Sequence, residues 1–216
     1  MDREHARQSE YMAGSVVITL SVGLLLGVGS ARIVCAAGAD TPTGVVQQTA
    51  DAVVAVLADK SLSAAQKRSQ VEQIVYAHFD FTTLSKLVLA RNWKQLSPAQ
   101  QHDFVEEFKR HLSVTYGRNV ETYNNERAII TGDRQEPGGD WTVKTKIVRL
   151  SAQDILVDYR LRKQEADWQV IDVIIEGVSL VANFRSQFQE ILSGSNPDHL
   201  IQLLREKNAK GEPLKS

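Results

Sequence analysis

Apolar residues recur along this chain at two different spacings, and the change from one to the other divides it. Between Val45 and about Tyr123 they return every three or four residues, the period of helices. From Ala128 to Ile175 they return every second residue, the period of strands, and from Leu180 onward the helical spacing resumes.

In the first helical stretch, Val46, Val53 and Leu57 share a face with Val56 beside them, and Ser61-Leu62-Ser63 interrupts the run. Ser63 is placed to cap a second helix with a stripe of Val71, Ile74, Val75 and His78 or Phe79. Asp80 is placed likewise before a short helix, Phe81 to Leu89, carrying Leu84, Leu87 and Val88. Ser97-Pro98-Ala99-Gln100 is a capping box with proline pre-set for the first helical position. The helix after it is predicted to run to about Tyr123, on a stripe of Phe104, Phe108, Leu112, Tyr116, Val120 and Tyr123. Gly117 inside that helix costs about 1 kcal/mol against Ala, which a close helix–helix or helix–ligand approach would explain.

The alternating stretch predicts a short strand at Ala128 to Thr131 and a loop at 132–140. Trp141, Val143, Thr145 and Ile147 then alternate with Lys144 and Lys146, and Ile155, Val157, Tyr159 and Leu161 alternate with Asp158, Arg160 and Arg162. Each is a strand with one buried and one wet face, and the connections are short enough for antiparallel neighbours. The next strand, from Trp168, is apolar on both faces: Trp168, Val170 and Ile174 point one way with Asp172, while Ile171, Val173 and Ile175 point the other. Glu176-Gly177 ends it, and a helix over 178–192 follows, with Leu180, Val181, Phe184, Phe188, Ile191 and Leu192 apolar. Asn196-Pro197 opens a last helix bearing Leu200, Leu203 and Leu204, before a polar tail from Asn208. Helices, an antiparallel meander and helices again make an α+β fold: a curved sheet of about four strands covered by helices on one side. Periodicity alone does not say whether the apolar residues between these layers pack solid or enclose an apolar pocket.

The chain has 216 residues, 43% of them hydrophobic, which suits one domain with an ordinary core. A net charge of −1 provides no electrostatic footprint for nucleic acid. Residues 13–29 are uncharged and mostly apolar, and Val34-Cys35-Ala36 and Ala37-Gly38-Ala39 each end on Ala after a small or apolar residue. This is the pattern of a secretory signal peptide cleaved after Ala36 or Ala39, or alternatively of a retained anchor. Loss of residues 1–36 removes three basic and three acidic side chains, leaving the net charge unchanged, and removes Cys35, the single cysteine. The remaining chain has no thiol chemistry and no disulfide. The organisation expected is therefore a signal peptide or anchor over 1–39, a binding domain over 40–208 and a flexible tail over 209–216.

Motifs for catalysis are missing: there is no phosphate-cradling glycine loop, no HExxH and no GxSxG, and His78, His102, His111 and His199 form no i, i+3 or i, i+4 pair for a metal. The sequence therefore points away from an enzyme, a cofactor and a metal centre. Asp172 is the unusual residue, a carboxylate within an apolar strand. It either contacts a ligand head group or partner, or is satisfied internally by an arginine such as Arg160 or by backbone donors. Arg185 lies off the apolar stripe, as a surface residue or a phosphate contact.

Two segments resemble a known family. Ile171-Asp172-Val173-Ile174-Ile175-Glu176-Gly177-Val178-Ser179, followed by Asn183-Phe184-Arg185-Ser186-Gln187-Phe188, is similar to the strand–helix junction of the MlaC family, the periplasmic phospholipid-binding proteins also called toluene-tolerance auxiliary components. Lys86 to Trp93, then Leu96-Ser97-Pro98-Ala99-Gln100-Gln101, Phe104, Phe108 and Tyr116-Gly117, resembles a second family segment. Ala90 stands where the family usually has Gly, and Ile171 where it usually has Tyr. The likeness extends from about Val45 to Lys207. It implies a soluble periplasmic carrier that holds phospholipid acyl chains between sheet and helices with the head group outward. Such a carrier shuttles lipid between an outer-membrane lipoprotein complex and an inner-membrane ABC transporter with a lipid-binding domain, which maintains outer-membrane lipid asymmetry. The pocket lining expected on that basis comes from Leu84 and Val88; from Phe108, Leu112 and Tyr116; from Ile147, Val157, Tyr159, Val173 and Ile175; and from Val178, Val181 and Phe184. Asp172 and Arg185 are the candidates for a head-group or partner contact. A carrier of another hydrophobe such as a hopanoid, or an interaction domain with no ligand, are the alternatives.

Overall fold

The structure is a computed structural model that describes residues 40–117, 123–150 and 152–214. The expected signal segment and Val120 lie outside the described residues.

Local capping sets the helix starts. α1 (Pro42–Ala58) begins where Thr41 Oγ1 accepts the Gly44 N–H at 3.0 Å. α2 (Ala64–His78) and α4 (Pro98–Tyr116) each open on a complete capping box, Ser63 with Gln66 and Ser97 with Gln100. Between them, α3 (Phe81–Leu89) is capped by Asp80, which accepts the Thr83 N–H at 2.8 Å, and a 3-10 turn over Ala90–Gln95 leads on to α4. Gly117 terminates α4; a methyl group there would meet only Glu72 Oε1, at 4.0 Å, so no close helix–helix approach requires a glycine.

The sheet is a five-stranded antiparallel meander in the order β1 (Arg127–Gln135), β2 (Trp141–Val148), β3 (Ile155–Gln164), β4 (Asp167–Ile175) and β5 (Val178–Ser179). Three features depart from simple alternation. First, β1 continues to Gln135 rather than stopping at Thr131, with its register against β2 shifting between Ile130 and Gly132. Second, Val178 and Ser179 do not begin a helix. Glu176 and Gly177, at φ +48° and +80°, form a two-residue turn that folds them back onto β4 as β5. α5 (Leu180–Gly194) starts only afterwards. Third, Ile171 is an extra residue in β4: Arg160 pairs with Asp172 and Leu161 with Val170, leaving Ile171 between them. This bulge puts Trp168 and Val170 on the same face as Val173 and Ile175, and turns Asp172 and Ile174 to the opposite face. The grouping expected from strict alternation is thus corrected, because the bulge adds one residue to the count.

The inner face is built from cross-strand rows. Ala128, Ile147 and Ile155 form one, and Ile130, Thr145, Val157 and Ile175 the next. Val143, Tyr159 and Val173 form the central row, and Trp141, Leu161 and Val170 the last. Helices cover this face. α1 approaches β1, β2 and β4, and α3 and α5 approach β4, while no helix comes comparably close to β3 among the described residues.

α4, α5 and α6 (Pro197–Lys210) pack together over a cluster of Phe104, Phe108, Phe184 and Phe188, whose neighbouring ring centroids lie 5.0–5.6 Å apart. Leu200, Ile201 and Leu204 bring α6 into the same core, and Arg205 bridges Asp103 and Glu107 of α4 at 2.7 and 3.2 Å. α6 runs past Asn208, which is itself buried, and ends on Gly211 in the left-handed conformation. In contrast, α2 contributes no fully buried residue. Its Val71 and Ile74 join a smaller cluster with Val53, Leu57 and Tyr123.

Candidate functional site

The centre of the inner sheet face is the place to look for a ligand. In a solid core the middle of a covered sheet is its driest part, and Val143 and Leu161 are both at 0% exposure. In the same region Tyr159 retains 7% and Val173 retains 8%. Tyr159 stands in its row between two valines, so its ring reaches past their methyl groups towards the helices. β3 is also the strand that the helices approach least.

Two phenols belong to the main core. Burial pushes the Tyr159 phenol far above its ordinary pKa, with no hydrogen bond to offset it. Tyr116, half-buried on the last turn of α4 against the same core, is pushed up to about 12 for the same reason. Thr145, on the inner row beside Val157, is satisfied: its Oγ1 donates to the Val157 carbonyl at 2.6 Å.

The remaining lining candidates divide into two environments. Leu84, Val88, Ile147, Val157, Ile175 and Val181 are buried on the layers that face each other, while Leu112 and Val178 are half-buried. Phe108 and Phe184 lie in the aromatic cluster with their rings 5.0 Å apart. There the neighbouring rings occupy the space around them.

Asp172 resolves between its two readings. One carboxylate oxygen accepts from Ser179 Oγ at 2.6 Å and the other from the Val181 N–H at 3.1 Å. Ser179 Oγ in turn accepts the Ala182 N–H at 3.0 Å, so serine and aspartate together cap α5. Arg160 pairs with Asp172 along the backbone ladder but makes no salt bridge to it. Arg185 is occupied as well: its Nε and one terminal nitrogen donate to the Leu87 carbonyl at 2.9 and 2.7 Å, joining α5 to the end of α3.

His111 is a further buried polar residue. It falls seven residues after Phe104, on the apolar stripe of α4, and that spacing is the signal for its burial. Its Nδ1 lies 2.9 Å from Asn208 Oδ1, and its Nε2 accepts the Leu214 N–H at 3.3 Å. With Nε2 accepting, Nδ1 carries the proton and donates to the asparagine.

The family model described as MlaC protein matches residues 47–206. The toluene tolerance protein ttg2D of Pseudomonas putida is 26% identical over 168 residues, spanning 74% of this chain and 77% of that protein. A phospholipid-binding protein from Ralstonia solanacearum, solved in complex with a phospholipid, matches with a TM-score of 0.71 at 25% identity, over 78% of this chain and 97% of that one.

Proposed function

The chain belongs to the MlaC family, and on that premise we propose that it is a phospholipid carrier whose acyl chains lie between sheet and helices above Tyr159 and Val173. The observation that carries the reading is the apolar inner face of the sheet under its covering helices, with Val143, Tyr159 and Val173 as its central row. The match to a protein solved with phospholipid supports it. Leu84, Val88, Leu112, Tyr116, Ile147, Val157, Ile175, Val178 and Val181 complete the lining, with Phe108 and Phe184 closing one end as an aromatic wall. Asp172 and Arg185 act by holding α5 in place rather than by touching the lipid.

The energetics require a carrier of this kind. Each buried methylene is worth about 0.8 kcal/mol, so a chain of about 16 carbons represents on the order of 10 kcal/mol that free lipid would forfeit in water. A cavity that repays this term lets lipid leave a bilayer, and a docked partner that opens the cavity lets it be released. The apolar run at 13–29 with small residues after it supports export to the periplasm. There it carries lipid between an outer-membrane lipoprotein complex and an inner-membrane ABC transporter with a lipid-binding domain.

Native mass spectrometry of the secreted protein from a periplasmic extract tests this. Co-purified phospholipid is the expected result, and Val173→Trp should displace it while leaving the circular dichroism spectrum intact. A bound hopanoid would make it a carrier of another hydrophobe. An empty protein, or undiminished lipid in Val173→Trp, would remove the binding site placed here.

A further inference from the structure

We propose that the segment from Gly211 to Leu214 is an acid-released strap: it is seated on the α4–α6 junction while His111 is neutral, and it lifts off when that imidazole takes up a proton. The proposal stands on the contacts of His111 and is independent of the carrier reading.

The strap is held at both ends. Gly211 ends α6 in the left-handed conformation, at φ +66°, and the Glu212 N–H donates to the Lys207 carbonyl at 2.9 Å. The Glu212 carboxylate also meets Lys207 Nζ at 2.9 Å, an exposed ion pair that holds little by itself. Pro213 has no N–H, so the next donor is that of Leu214. It donates to His111 Nε2 at 3.3 Å, and the Leu214 side chain packs against the main core.

The neighbours of His111 allow it one proton in one place. Asn208 Nδ2 donates to the Glu107 carbonyl and to Glu107 Oε2, both at 2.9 Å, so the amide oxygen is the atom turned to the imidazole. That oxygen lies 2.9 Å from Nδ1, which therefore donates, and Nε2 is left to accept from Leu214. A second proton goes onto Nε2 and sets two donors against each other. The ring is at 0% exposure, so solvent does not relieve the conflict unless the strap moves.

The charges around the ring do not favour the imidazolium either. Lys207 of α6 opposes it. Glu107 of α4 has its two oxygens committed to Arg205 and Asn208, and Glu212 of the strap is tied to Lys207. α5 presents the uncharged Phe184 ring, with its centroid 6.1 Å away. Burial holds the folded pKa of His111 below its usual 6.5; the Asn208 bond raises it in part, and Lys207 lowers it further. The seated strap is thus the state above that pKa, and acid favours the released one.

The test follows the backbone order parameter of the Leu214 amide by 15N relaxation, from about pH 7.5 to about pH 4.5, while the His111 ring is titrated by its 13C shift in the same samples. The order parameter is expected to fall from about 0.85 to below about 0.6 with the midpoint of the ring, while the Leu204 amide in the middle of α6 stays rigid. His111→Gln should show no step, and Glu212→Gln should keep it. A strap that stays ordered after the ring is protonated, or one already loose at the neutral end, would overturn the proposal from the wild type alone. A step that persists in His111→Gln, or that disappears in Glu212→Gln, would assign the switch to another group and overturn it equally.

Discussion

At the scale of single residues, the backbone holds a strained position at an alanine. Ala90 closes α3 at φ +49°, ψ −122°, a conformation that glycine adopts freely and a Cβ resists. Such positions cost about 1–3 kcal/mol, while glycine's extra freedom in the unfolded chain returns part of that gain. Ala90→Gly is therefore expected to stabilise the protein by about 1 kcal/mol, read as a rise of about 2–4 °C in the thermal midpoint. A fall would show that the alanine is unstrained there. Asp172 teaches a related lesson about reading one residue at a time. A carboxylate in an apolar strand has the look of a binding group, yet its oxygens are taken up by Ser179 and the Val181 N–H. Those partners lie seven and nine residues on, beyond a turn, and so only the folded hairpin shows that they meet.

At the scale of elements, what the sequence makes legible is what adjacent residues decide. The capping boxes at Ser63 and Ser97 are closed within four residues, and both form. The bulge at Ile171 depends on pairing with Arg160 and Leu161 across the sheet, so the alternation of β4 taken alone assigns its faces wrongly. The second half of β1 is exposed on both faces and leaves no alternation to detect. The junction of α4 and α6 carries a pH dependence for a similar long-range reason. Burial lowers the His111 pKa below 6.5, partly offset by its bond to Asn208. Protonation would also turn Nε2 into a donor facing the Leu214 N–H. A histidine whose folded pKa is depressed is neutral in the native state while the unfolded chain takes up the proton. Stability is thus full above about 6.5 and lost as pH falls from there through the folded pKa. Between pH 7.5 and 5 the wild-type thermal midpoint should drop further than that of His111→Gln; equal slopes would remove His111 as the cause.

At the scale of the whole molecule, the interior has two unlike ends. One is an aromatic cluster between α4 and α5; the other is the sheet face around Tyr159 and Val173, where valines flank a single phenol. Phe108 and Tyr159 both belong to apolar stripes, and nothing in their spacing distinguishes a filled end from an open one, because that depends on how the helices rest on the sheet. If lipid lies at the sheet end, its removal must cost stability. A free phospholipid concentration a hundredfold above its dissociation constant adds about 2.7 kcal/mol. Delipidated protein is then expected to melt about 5–10 °C lower than loaded protein, with recovery on adding lipid, and identical melting curves would contradict a lipid-filled interior. The outer side of β1 has a consequence of another kind. Its ladder is kinked between Ile130 and Gly132, it carries Asp133 and Arg134, and Thr43 at the start of α1 reaches across to Asp133. Copies that collide rim to rim meet a bent and charged border instead of a straight template for strand addition.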